Sequence, residues 1–415
     1  MESTNSTGSL NILFIVEVDW LKKVVFDIHS LAELLSLRGH NVFAIDYPDI
    51  WTKDNVWDLG SLRTTVTSGI CRAVPGASVH LRRPGYLKIP GLSRLSAEIT
   101  HYFEIKKTII EKKIDIIVLY SVPTNGLQAI HSAKKYHIPV VFRSIDILNQ
   151  LVRYPILRPA TRFLERKVYS ASDMVLTITP GLSQYVVKNG AAEAKVKLLP
   201  MPVDTDLFHP GINTTELRQK WGLGEHDEIV LFMGTLFDFS GLDVFLPEFP
   251  GVIEQIPHVK LLIVGDGPQR PRLEKIITDL NLRQHVIITG FQPYQTMPQY
   301  INMATICINT FIITDATRDI FPGKTVQFLA CGKAFLATSL PGMRAVIPGE
   351  QQGVLYVRDA GEMVQSIIFV LQSPDLRQQL ECNGLSYVIN THSYAKIADS
   401  LESRLREAIR GKNRE

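Results

Sequence analysis

The stretch Thr317 to Lys333, TRDIFPGKTVQFLACGK, sets charged and hydrogen-bonding side chains around a loop that leads into a short helix. Its Pro322-Gly323-Lys324 step reads as a loop tipping into a helix. Free N–H groups and the positive end of a helix dipole at such a start suit a phosphate, and Lys324 adds a full charge. Arg318 offers a second cation, and Asp319 places an acceptor in the loop. Gln327 lies three residues after Lys324 and so shares its helix face, where it can hydrogen-bond hydroxyls without carrying charge. Val326, Leu329 and Ala330 fall on the side that can turn into a core. A polar mouth backed by an apolar side is what a nucleotide site needs, and Phe321, Pro322 and Gly323 complete its approach.

Three further loops in the same half have related character. Gly234-Thr235-Leu236, Gly265-Asp266-Gly267-Pro268 and Gly290-Phe291 each follow an apolar run. In an open parallel sheet, ligands gather beyond the carboxyl ends of the strands, and glycine there lets backbone approach a ligand closely. One residue of the first half, Asp146, stands in the equivalent place after the run that ends at Ser144.

These loops need a scaffold, and the apolar pattern supplies one. Asn11–Val16 is a continuous apolar run, as in a strand covered on both faces. A helical stripe follows through Val25, Ile28, Leu31, Leu34 and Leu35, stops at Gly39, and gives way to the run Val42–Ile45. A strand, helix, strand unit of this kind requires a right-handed parallel crossover. The pattern recurs at 115–121, 139–144, 174–179 and 196–199, and again at 228–234, 258–265, 286–290, 305–310, 334–339 and 354–357. Between the two series lies Pro200–Gly211, rich in proline and without periodicity, which is the best linker in the chain.

The expected fold class is therefore α/β, with two Rossmann-like doubly wound domains facing across a cleft. Residues 1–207 form the first domain, 208–393 the second, and 394–415 a C-terminal helix packing back toward the first. A chain of 415 residues is long enough for two such domains.

Composition narrows the function further. A net charge of +3 is too small to argue for nucleic acid. Cys71, Cys307, Cys331 and Cys382 are widely spaced, as expected for free thiols in a reducing compartment. No paired-His or HExxH metal motif, no GxSxG elbow and no GxGxxG after a first strand occurs, so no metal and no dinucleotide cofactor is expected. The polar start MESTNSTGSL lacks the features of a signal peptide, and no apolar run reaches the roughly 18 residues of a membrane helix. The expected location is cytoplasmic. The sequons at Asn5 and Asn213 read as chance tripeptides. Residues 82–113 carry eight basic against three acidic residues, interleaved with apolar ones, a composition that allows peripheral contact with an anionic membrane.

Taken in order, the motifs resemble family 4 (group 1) glycosyltransferases, retaining enzymes of GT-B fold. The resemblance is carried by Leu37-Arg-Gly-His-Asn-Val42, Ala171-Ser-Asp-Met-Val-Leu-Thr-Ile-Thr179, Pro202-Val-Asp-Thr-Asp-Leu-Phe-His-Pro210, Val264-Gly-Asp-Gly-Pro268, Ile288-Thr-Gly-Phe291 and Leu329-Ala-Cys-Gly-Lys333. It implies a nucleoside diphosphate sugar as donor substrate, held by the second domain, and a glycan or lipid-linked acceptor held by the first, with no obligatory metal. The family's Glu-x7-Glu motif falls on Asp319 and Gln327, which implies Asp319 toward the sugar and Gln327 toward the ribose. Lys324 then lies at the diphosphate, and Asp146 lies near where relatives present a His or Asp toward the acceptor. Where the family commonly has the Arg and Lys that clamp the diphosphate, this chain has Thr235 and Ser240. Glu17–Lys23 replaces the glycine-rich loop that usually follows the first strand. These exchanges keep open a second reading, a catalytically degenerate glycosyltransferase-like binding subunit of a glycan-assembly complex. A third, a nucleotide-sugar epimerase or a phosphorylase of the same fold, fits the linker and Val264–Pro268 less well.

Overall fold

The computed structural model describes residues 8–23, 25–48, 58–89, 92–152 and 155–414; Asn5, Pro90 and Gly91 lie outside these. Contacts divide the chain into two units. The first comprises Met1–Ile178, Leu182–Leu199 and Ile397–Glu415, and the second comprises Thr179–Gly181 and Pro200–Lys396. Residues 200–207, expected with the first domain, belong to the second, because Val203 bridges to Ser393 there. Among the described residues no helix is long and apolar enough to cross a membrane.

In the first unit the strands are β1 Asn11–Ile15, β2 Asn41–Ile45, β3 Thr65–Ile70, β4 Val79–Arg83, β5 Ile116–Leu119, β6 Val140–Ser144, β7 Met174–Thr177 and β8 Val196–Leu198. They lie in the order β3-β4-β2-β1-β5-β6-β7-β8. Every neighbouring pair is parallel except β3 with β4. The order reverses between β1 and β5, which makes that junction the switch point of the sheet. Continuous apolar strands bury both faces. One face packs Trp20, Ile28, Leu31 and Leu35 together with Ile397, Leu401, Leu405 and Ala408 of the last helix, Tyr394–Lys412. The other packs Ile105 and Ile109, Ala129 and Ile130, and Val168 and Tyr169 from three successive helices.

Two of these strands, β3 and β4, differ from the sequence expectation. β3 is exposed and polar along most of its length, so it has no apolar run to announce it. β4 ends in Arg82 and Arg83, whose charges are neutralised internally. Arg82 pairs with Glu104 and Glu111, and Arg83 with Asp19 and Asp46. The expected basic membrane surface thus loses residues 82–89, where Tyr86 is also buried.

A buried ion pair ties the unit together. The Arg143 guanidinium on β6 donates to both carboxylate oxygens of Asp27, at 2.9 and 3.0 Å, and to the Leu199 carbonyl at 2.6 Å. The Tyr120 hydroxyl donates to the same carboxylate at 2.9 Å. Both charged side chains are almost fully buried. One contact set therefore joins the start of helix Asp27–Leu37, strand β6 and the last residue before the chain leaves the unit. Removing one partner strands the other charge, so Asp27→Ala should cost about 3 to 5 kcal/mol of stability in urea unfolding, and Asp27→Leu combined with Arg143→Met much less. A single-variant loss below about 1 kcal/mol would contradict this account of the pair.

The second unit holds β9 Glu228–Met233, β10 Val259–Val264, β11 Val286–Ile288, β12 Ile306–Asn309, β13 Ala334–Thr338 and β14 Val354–Val357. All are parallel, in the order β11-β10-β9-β12-β13-β14. The switch point lies between β9 and β12, so a ligand-binding edge is expected beyond Met233 and Asn309.

Candidate functional site

The carboxyl edge of the second sheet is built from glycines that nothing larger could replace. Gly234 and Gly265 have φ of +144° and +150°, a region that side chains avoid. A Cβ on Gly265 would overlap the Gly234 carbonyl, and one on Gly267 would come 2.7 Å from the Leu236 amide nitrogen. Gly265 also bridges to Gly290. The ends of β9, β10 and β11 are thereby drawn together with almost no side chain between them.

Lys324 enters this gap. Its helix spans Lys324–Ala330, with Gly323 at the cap and Val326, Leu329 and Ala330 buried in the core. The amine lies over the Phe232 ring at 4.1 Å and the Phe311 ring at 4.4 Å, and 3.5 Å from where a Gly234 Cβ would be. It is sealed from solvent and has no hydrogen-bond partner among the described residues. Burial lowers its pKa from 10.5 to about 7. The amine expected at the diphosphate is thus an internal one, held beneath the strand ends. A drop of that size corresponds to roughly 5 kcal/mol against the charged form.

Asn309, at the end of β12, was missed in the sequence. It is fully buried at the switch point, and neither its amide nitrogen nor its oxygen has a partner among the described residues. Its signal was only a polar residue closing the apolar run Thr305–Thr310, and an Asn in that place more often caps a turn.

The other expected residues divide into two groups. Asp266 and Thr235 are exposed at the edge, as is Phe291 at 71%. Asp266 pairs with Arg270 at 2.8 Å and accepts from the Gly267 amide at 2.8 Å. Asp319 is half-buried: its carbonyl accepts from Thr179 Oγ1 at 3.3 Å, and Gly181 leaves just enough room for its carboxylate. Arg318 is exposed, with its carbonyl held by the Gly342 amide at 2.7 Å. Pro322 and Gly323 are half-buried. Phe321 is buried, stacked on His392 rather than presented to a base. Gln327 is half-buried, beside the hydroxyl of Tyr294. Ser240 is buried, and its carbonyl accepts from Thr310 Oγ1 at 2.6 Å. Asp146 lies in the first unit, two residues past the end of β6 and half-buried, and burial raises its pKa.

Two parallel doubly wound α/β sheets, the second with a glycine-lined edge, define the class of GT-B proteins. The profile described as Glycosyltransferase Family 4 matches residues 27–207, and that described as Glycosyl transferases group 1 matches 227–373. The chain belongs to the family 4 (group 1) glycosyltransferases. It is 24% identical over 259 residues to the GDP-mannose-dependent alpha-(1-6)-phosphatidylinositol monomannoside mannosyltransferase of Mycolicibacterium smegmatis, covering 60% of this chain and 67% of that one. It is 24% identical to the alpha-D-kanosaminyltransferase of Streptomyces kanamyceticus, covering 46% and 48%. Against the alpha-monoglucosyldiacylglycerol synthase of Streptococcus pneumoniae the identity is also 24%, covering 68% and 65%. The matches thus span from 48% to 67% of the length of these relatives. In fold, the chain resembles Anabaena HepE in complex with UDP, with a TM-score of 0.72 at 14% identity over 96% of this chain and 100% of that one. Sucrose-phosphate synthase from Thermosynechococcus elongatus gives 0.71 at 17%, over 97% and 100%.

The stored amine sets a pH test. With its native pKa depressed, Lys324 binds fewer protons in the folded than in the unfolded chain between about pH 7 and 10.5. Its penalty on stability is therefore full below that window and fades as pH rises through it. Lys324→Met should stabilise the fold by about 4 kcal/mol more at pH 7 than near pH 10.5, where the amine's penalty has nearly gone. A variant less stable than the parent at pH 7 would rule out an unpartnered amine.

Proposed function

We propose that the chain transfers a sugar, with retention, from a nucleoside diphosphate sugar to a glycan or lipid-linked acceptor. The observation that carries this reading is the unpartnered Lys324 amine beneath the glycine-lined strand ends of a family 4 chain. Those strand ends let a diphosphate approach the backbone, and its charge draws a proton onto Lys324. As the donor bond breaks, charge builds on the leaving phosphate, and a fixed cation there lowers the barrier without a metal. Asp319 serves the transferred sugar, Gln327 the ribose, and Asp146 the acceptor. The lipid-linked acceptor is supported by two relatives whose names include phosphatidylinositol monomannoside and monoglucosyldiacylglycerol.

A donor screen read by mass spectrometry, following released nucleoside diphosphate and glycosylated acceptor, tests the reading. Lys324→Ala should lower turnover by roughly 10²- to 10³-fold with the fold retained. Turnover equal to the parent's would overturn the assignment. One observation favours the second reading, a binding subunit without turnover: the family's clamp positions hold exposed Thr235 and buried Ser240. Nucleotide binding by calorimetry without hydrolysis or transfer over long incubation would select it.

Peripheral contact with an anionic membrane belongs to the same proposal, now centred on helix Ser93–Lys112. Leu95, Ile99, Phe103 and Ile110 are exposed along it, beside the cations Arg94, Lys107 and Lys112. Binding to vesicles rich in phosphatidylglycerol should weaken steeply between 50 and 500 mM salt, on the scale of a Debye length of about 10 Å at 0.1 M. Salt-independent binding, or none, removes this part of the reading.

A further inference from the structure

The loop from Thr310 to Gly323 contains no helix or strand, yet its last residues must fix Lys324 in place. A seat beneath them does so. Phe321 lies parallel to the imidazole of His392, with centroids 6.0 Å apart and planes 4° apart. Two residues on, the position of a Gly323 Cβ would be 3.5 Å from the terminal methyl of Met201. His392 and Met201 are themselves joined, since His392 Nδ1 bonds the Met201 carbonyl at 2.8 Å. Backbone bonds lock the two segments together: Val203 N–H donates to the His392 carbonyl at 2.9 Å, and Tyr394 N–H to Val203 at 3.0 Å. All of this lies within the second unit, on the two segments where the chain enters and leaves it.

We propose that His392 is a positioning residue for the donor loop, setting through Phe321 and Met201 where Pro322, Gly323 and Lys324 meet the diphosphate. The inference rests on the donor reading above. A histidine that merely filled the core would not need to sit face to face with the buried aromatic ring three residues ahead of the helix start. Nor would it need its partner carbonyl on the residue that supports Gly323. His392 is 1% exposed, and its Nε2 has no partner among the described residues.

That last point gives the seat a pH dependence. The groups facing His392 are the Phe321 ring, the Met201 carbonyl and Tyr387, whose ring is 5.5 Å away and whose hydroxyl donates to Val346. Burial lowers the imidazole pKa, the Met201 bond offsets this in part, and no carboxylate or cation contributes. A second proton would have to sit on Nε2 with nothing to accept it. The seat's stability is therefore present above the unfolded value of about 6.5 and is lost as pH falls below it.

The test titrates UDP and GDP into the full chain by calorimetry from pH 5.5 to 8, with thermal unfolding followed in parallel. The parent should bind one of the two, more weakly below about pH 6.5. His392→Ala should weaken binding about tenfold while kcat at saturating donor stays within about threefold, a KM effect that loss of folded protein would not produce. His392→Phe keeps a ring under Phe321, so it should restore most of the affinity and flatten the acid arm. Parent-like binding by His392→Ala overturns the proposal, as does a Phe variant as weak as the Ala one or an acid arm that persists in it. A parent that binds neither nucleotide overturns the donor reading and this inference together, an outcome distinct from the other three.

Discussion

Backbone crowding at the carboxyl edge of the second sheet is the constraint on which the candidate site depends. Gly265 sits directly over the Gly234 carbonyl, and Gly267 sits against the backbone of Leu236. With no side chains on the ends of β9 and β10, one long side chain can pass beneath them, and Lys324 takes that path. Phe232 and Phe311 wall it in, with their π faces toward the amine. The glycines thus do more than admit a ligand from outside. They also let a charge be stored from inside, at the sheet's switch point.

The first unit treats its own switch point in the opposite sense. Beyond β1 stands Glu17, whose carboxylate accepts the backbone N–H groups of Thr124 and Asn125 at the start of helix Gly126–Lys135. The donors that could have met a phosphate are taken by an internal carboxylate, and burial raises its pKa. What remains there is neutral: Thr124 Oγ1 and both amide atoms of Asn125 are buried without partners among the described residues. Such a set suits hydroxyl groups better than phosphate.

How much of this was legible depended on whether a residue's neighbours in sequence were also its neighbours in space. The buried parallel strands were legible because being covered on both faces produces runs such as Asn11–Val16 and His258–Val264 that no other local structure explains. The helix start at Lys324 and its inward face were legible from Pro-Gly and a three-residue step. β3 was not, since an exposed strand of Thr, Ser and Gly has no apolar period, and β4 was hidden by arginines whose acids come from residues 19, 46, 104 and 111. The same limit applied in the site. Phe321, read as a nucleotide contact, rests on a histidine 71 residues later, and Gln327 meets Tyr294 from a separate loop. The edge glycines were read correctly in place but only partly in role, because the crowding between Gly234 and Gly265 is a tertiary fact.

The replacement of the family's external cations by one internal amine changes the physics of the site. Two charge-assisted contacts, each worth on the order of 1.5 to 3 kcal/mol, are absent where Thr235 and Ser240 stand. Cations at a solvent-facing edge lose strength to salt within about 10 Å at 0.1 M, whereas the Lys324 amine is buried against two aromatic rings and is screened less. On the donor reading, its attraction for a diphosphate is exerted through low dielectric, where one charge acts more strongly than at an exposed edge. It is present, however, only when the amine is protonated, and with a pKa of about 7 the empty site holds that proton about half the time at neutral pH. On the donor reading, an anion must supply the energy that completes protonation. A site of this construction is therefore weakly sensitive to salt and strongly sensitive to pH, the reverse of an exposed basic clamp.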